Sequence, residues 1–205
     1  MIDGLRAIYE GLNSLRIQGY TYIWANMAFV VLSLPLVTAP AALSALFRVS
    51  YIARTEAHEA DLALFWECFR ANIFKTLPWG VLHAGFVIVN FMNLIVYQDT
   101  PGIFQGFRLV WIGSGVIWFA VFLYTWPIYY EMQEPSLIGA TRNALIMILQ
   151  NPLFTLTILA GVLLLAVVST VFIAAWVVLT WGAISAIATA AVLNRISIYR
   201  ESRIN

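Results

Sequence analysis

Apolar residues in this chain gather into long runs separated by short polar interruptions, and the length of each run sets what it can form. A bilayer crossing needs about 20 mainly apolar residues, and its backbone polar groups must be satisfied within the segment, so each such run predicts a helix. Residues 1–19 read as a polar, amphipathic lead. Residues 20–54 read as a helical hairpin, Tyr20–Leu34 and Ala41–Arg54, broken by Pro35-Leu-Val-Thr38-Ala-Pro40. Proline cannot donate to a helix and turns the preceding residue away from helical geometry. Leu62, Phe65, Trp66, Phe69, Ile73 and Leu77 share one helical face, which predicts an interfacial helix over 60–76. Spans follow at 79–97 and 107–130, joined by the turn-rich Gln98–Gly102, and then a second interfacial helix over 135–150.

The almost uncharged stretch from Leu153 to Tyr199 would be about 70 Å long as one helix, more than twice a hydrocarbon core of about 30 Å. It therefore predicts two spans, 153–174 and 180–199, with a tight turn in 174–182, where Trp176 and Trp181 suit an interfacial aromatic belt and Gly182 gives the backbone room. The expectation is an all-α, polytopic transmembrane bundle in a single domain, 1–205. It has about four full spans, a proline-broken N-terminal hairpin and two interfacial amphipathic helices. The two halves follow a similar plan, each with an amphipathic segment, a proline and a span, which is compatible with an internal duplication.

Composition agrees with lipid as the solvent. Of 205 residues, 62% are hydrophobic and 10% charged, against roughly 45–50% and 25% in soluble domains. The net charge of +1, with no basic block, points away from a nucleic-acid partner. The single cysteine, Cys68, excludes an internal disulfide. Arg6 and Arg16 precede the first apolar run as in a secretory signal, but Pro40 is awkward at a cleavage point, so that run is expected to stay in the membrane. If the hairpin returns to its starting side, ten of the eleven basic residues share one face and Arg108 alone falls opposite. The positive-inside rule makes that face cytoplasmic, with both termini there, in a bacterial cytoplasmic membrane. Six inserted helices, or four spans with a re-entrant hairpin, fit equally.

Candidate chemistry is sparse. Pro35, Thr38 and Pro40 could expose backbone groups to a small ion or substrate, or form a turn in which the Thr38 hydroxyl caps the next helix. His83, Asn90, Asn93 and Tyr97 lie along one stripe of a span. They could line a polar pathway or serve as interhelical glue, and the lack of deeply placed carboxylates favours glue. Gly182, Ala186 and Ala190 make a smooth face for close helix packing, against this chain or another subunit. Glu56, His58, Glu59 and Asp61 could approach a metal, but a solvated polar stretch is the plainer reading, and no metal site or cofactor is expected. Arg48 could pair with a lipid phosphate or with those acids. The eight tryptophans are read as anchors near span ends, with sugar stacking as the sharper alternative. Nucleophile elbows, paired carboxylates and phosphate loops are not found, which makes an enzyme improbable.

Asn26 with Ser33-Leu-Pro35-Leu-Val-Thr38-Ala-Pro40-Ala-Ala-Leu-Ser-Ala45-Leu-Phe47 resembles the opening signature of YesL-type membrane proteins, and Phe65…Phe69-Arg70-Ala-Asn72-Ile-Phe74-Lys75 before a span resembles its continuation. The likeness covers about residues 20–97. Ala39 stands where a glycine is expected, and a proline-rich stretch near the last helix is missing, which leaves the C-terminal fold less defined by the resemblance. The resemblance implies a small polytopic protein linked to carbohydrate uptake, with no catalytic residues to carry over. The expected function is a non-catalytic accessory or assembly protein packing beside larger membrane partners or itself. A small permease or channel for a sugar or ion, and a small subunit of an energy-converting complex, are the alternatives.

Overall fold

A computed structural model describes residues 2–98, 102 and 105–204. Among these residues the chain is all-helical and has no strand. Helix α1 (Ile2–Ile17) leads into α2 (Gly19–Ser33), α3 (Ala39–Thr55), α4 (Leu62–Asn72) and α5 (Leu77–Val96). Next come α6 (Gln105–Glu131), α7 (Leu137–Gln150) and α8 (Pro152–Val171). The three-residue α9 (Ile173–Ala175) runs through a π-helical turn, Trp176–Thr180, into α10 (Trp181–Ile204). Four described helices are long and apolar enough to cross a membrane: α5, α6, α8 and the continuous run Ile173–Ser202. The protein is a multi-pass membrane protein. Helices α2 and α3, with 15 and 17 residues, fall short of the usual crossing length.

Helix α3 and the stretch 182–192 of α10 are buried nearly all round and form the centre. In α3, Ala41–Phe47, Val49, Ser50, Ile52 and Ala53 are all buried. In α10, Ala183, Ile184, Ala186, Ile187, Ala188, Ala190, Ala191 and Val192 are buried too. Such helices belong inside a bundle, and their small side chains let neighbours come close. The N-terminal lead uses that opening. Helix α1 lies antiparallel along α10, with Gly11 against the Ile187 backbone and Asp3 bonded to Arg195 at 2.9 Å. The Arg195 guanidinium holds the Asp3 carboxyl below the usual carboxylate range. Arg54 ties the end of α3 to Glu10 of α1, and Arg200 of α10 reaches Glu131 of α6 at 2.6 Å.

The two amphipathic segments share one construction. Helix α4 ends four residues short of α5, and α7 is separated from α8 by Asn151 alone; Pro78 and Pro152 occupy the first turns of the longer helices, where a missing N–H costs nothing. Asp61 accepts from the Leu64 amide to cap α4, and Ser136 accepts from Gly139 to cap α7. Phe65 and Phe69 of the anticipated α4 stripe are buried against the core, whereas Trp66 remains at the surface.

The last third differs from the sequence expectation. The chain reverses at Phe172, where φ is −119° and ψ is 81°, and not within 174–182. Residues 176–180 instead continue the helix with a π turn. The tryptophans and Gly182 looked like turn chemistry, but a buried asparagine elsewhere in the chain supplies the partners that let the helix run on. Of the turn expected over Gln98–Gly102, residues 99–101 lie outside the described residues.

Candidate functional site

The helix break at 35–40 is closed by local bonds. Pro35 has no N–H, and the Leu36 amide bonds to the Ser33 carbonyl, so the Leu32 carbonyl is left without its helical partner. The Thr38 hydroxyl donates to it. Thr38 therefore completes the end of α2 and does not cap α3 through its side chain, as the sequence suggested. The reason is local: Thr38 has helical dihedrals, and Pro40 removes an amide that a cap would bind. Leu36 pays for the turn with a left-handed φ of 55°. Pro40 packs on Gly80, where a Cβ would come within 2.2 Å of the proline ring. The tip of the hairpin thus meets α5 at its entry end.

A site that the sequence reading did not single out lies beside the π turn. Five-residue hydrogen-bond spacing leaves backbone groups without regular partners. Asn26 of α2, fully buried, fills the gap. Its Nδ2 donates to the carbonyls of Trp176 (3.1 Å) and Val177 (2.6 Å), and its Oδ1 accepts from the Gly182 amide at 2.8 Å. Gly182 leaves room for this, since a Cβ there would stand 3.4 Å from the Tyr22 carbonyl oxygen. The Gly182, Ala186 and Ala190 face thus packs within the chain, Gly182 against α2 and Ala186 beneath Gly11 of α1.

The polar stripe on α5 divides. His83 and Asn90 are buried. Asn90 Nδ2 donates to the Trp111 carbonyl at 2.9 Å and to Ser114 Oγ at 3.1 Å, fastening α5 to α6. Asn93 turns back to the Val89 carbonyl of its own helix, and Tyr97 stacks on Phe107. Residues three, four and seven apart stay on one face of a helix, and His83, Asn90 and Tyr97 all face α6, whereas the Asn93 side chain bonds within α5. His83 sits among rings, 3.9 Å from Trp79, 4.9 Å from Trp118 and 5.6 Å from Phe122 between centroids. Its Nδ1 lies 3.0 Å from the Trp79 carbonyl, while Nε2 is buried and without a protein partner. Trp79 and Trp126 are buried in this cluster, so these two are core residues and not interfacial anchors. A groove of about 560 Å³ lies between α5 and α6 beside His83.

A second polar cluster joins α3, α4, α6 and α10. Tyr130 donates to the Ser44 carbonyl and contacts Cys68 Sγ at 3.3 Å. Asn72 donates to Ser44 Oγ and to the same sulfur. Burial pushes the Cys68 thiol up. Arg48 lies over the rings of Tyr51 and Tyr130, at 5.8 and 5.2 Å; this replaces the expected pairing with residues 56–61, because the packed arm carries it inward against α6. Tyr51 donates to Glu131, which also holds Arg200. Glu56, His58 and Glu59 are exposed, and no group of three metal-ligating side chains occurs among the described residues.

No family model, curated protein or solved structure matches this chain.

Proposed function

We propose that the protein is a non-catalytic accessory or assembly subunit of a bacterial cytoplasmic membrane, packing beside a larger membrane partner through the α5–α6 hairpin. One observation carries this reading. Only 17% of the membrane window of α5 and 17% of that of α6 are buried, against 28% for α8 and 67% for the last span. The distal halves of the hairpin pack mainly on each other, leaving Val87, Phe91, Ile95, Leu109, Val110 and Ile112 exposed. A hairpin so little covered by the rest of its own chain offers its faces to a helix-packing partner as well as to lipid.

The permease alternative is less favoured, because Asn90 donates to a carbonyl of α6 and Asn93 to its own helix. The accessory-subunit reading has both termini in the cytoplasm, supported by the ten of eleven basic residues that would then share that face. The hairpin 20–54 is re-entrant, supported by its short arms and by the contact of Pro40 with the entry end of α5. Carbohydrate uptake is the process to which the YesL resemblance points. Purification in mild detergent from native membranes should recover a stoichiometric partner, and crosslinks from positions 91 and 109 should reach it. A chain that emerges alone under crosslinking would end this reading.

A further inference from the structure

The groove beside His83 has a hydrogen-bonding character that its apolar walls conceal. A carbonyl oxygen can only accept, so His83 Nδ1 donates to Trp79. In the neutral imidazole the other nitrogen is then an acceptor, and a charged ring is expensive in hydrocarbon. His83 is 6% exposed and lines the groove, and its Nε2 has no protein partner. Trp118 lines the same groove with its ring 4.9 Å from that of His83, and its buried Nε1–H is also without a protein partner. One orphan acceptor and one orphan donor thus belong to side chains that line a single space, each nitrogen itself shielded in this structure.

Rings dominate the remaining wall, and its one other polar side chain, Asn90, already donates to α6. Phe86 stacks on Trp118 at 4.2 Å with an interplanar angle of 20°, and Phe122 closes the side next to His83. The rim carries the exposed side chains of Val87, Phe91 and Phe119, so entry is from the lipid side. A hydroxyl is the smallest neutral group that both donates and accepts, and flat rings match aromatic walls. A ketone would leave Nε2 unpaired, and a carboxylate or ammonium would bring charge into hydrocarbon.

We propose that the α5–α6 groove binds the hydroxylated aromatic ring of a membrane-dissolved lipophile, of the phenol or hydroquinone class. The hydroxyl donates to His83 Nε2 and accepts from Trp118 Nε1–H, while the apolar tail leaves past Val87 and Phe91 into lipid. A protein partner seated on Val87 and Phe91 would cover this exit, so the binding is tested on the chain alone.

The test uses the full chain in lipid nanodiscs and a diazirine-bearing alkylphenol as photolabel. Adducts are expected on residues 83–94 and 115–122. Unlabelled 4-hexylphenol should compete, and its methyl ether, which cannot donate to Nε2, should compete about tenfold more weakly. His83→Phe, which keeps a ring and removes the acceptor, should weaken labelling to a similar degree. Adducts spread over all lipid-facing helices, equal competition by the ether, or undiminished labelling of a folded His83→Phe protein would each overturn the proposal. Should that variant fail to fold, the ether comparison on the unmodified chain decides alone.

Discussion

Gly11 and Ile187 meet backbone to backbone: a Cβ on Gly11 would stand 2.6 Å from the Ile187 Cα and 2.8 Å from its amide nitrogen. No side-chain rotation can relieve that approach, so α1 and α10 must separate to admit even a methyl group. Gly11→Ala should lower stability by about 1–3 kcal/mol, in the range of core overpacking. Gly19→Ala, with nothing within 4 Å of the added carbon, should be nearly neutral. Thermal unfolding in detergent, followed by tryptophan fluorescence, distinguishes the two.

Asn26 uses both ends of its amide on one stretch of backbone. Asn26→Leu strands a buried amide and two carbonyls, and should cost about 2–4 kcal/mol given the usual penalty for orphaned buried groups. Asn26→Asp should do no better, because a carboxylate cannot donate to the Trp176 and Val177 carbonyls. Hydrogen exchange should show the loss first at 176–182; protection there equal to the parent protein would contradict the assignment.

Asn90 and Asn93 test whether the polar stripe is glue or a path. Asn90→Leu breaks the bonds to Trp111 and Ser114 and should cost about 1 kcal/mol, as intramembrane interhelical bonds do. Asn93→Leu should cost almost nothing, since its bond stays within α5. Equal effects on stability would show that α5 sits differently against α6.

Cys68 should react slowly. Burial raises its thiol above the ordinary value of 9.0, and only the thiolate is nucleophilic. The rate of alkylation by iodoacetamide in the folded protein should therefore rise at higher pH than in the detergent-denatured chain. The sign of the linkage follows: stability associated with this group is fully present below pH 9 and declines as pH climbs from there through the raised folded value. Identical alkylation profiles for the two states would remove the premise.

Much of the fold was legible because lipid demands long apolar helices and because proline marks their starts. The span expected at 79–97 is α5, Leu77–Val96, and that expected at 107–130 is α6, Gln105–Glu131. What stayed hidden depended on partners distant in sequence. Nothing near Trp176 announces a π turn, because the residue that satisfies it is Asn26, 150 positions earlier. That asparagine was visible as part of a family signature, but its task was not. The aromatic cluster was obscured for a similar reason: Trp79, Trp118 and Trp126 look like anchors until α5 and α6 are laid together. His83 was singled out by polarity alone, and the sequence could not say that one of its nitrogens would be left over.

The bond between Asp3 and Arg195 joins positions 192 apart, and it imposes a schedule on biogenesis. During synthesis the first helix emerges long before its seat exists, with charged residues it cannot bury in lipid. Its contact with Arg195 cannot form until the last helix has been made, so the ion pair is among the late events of assembly.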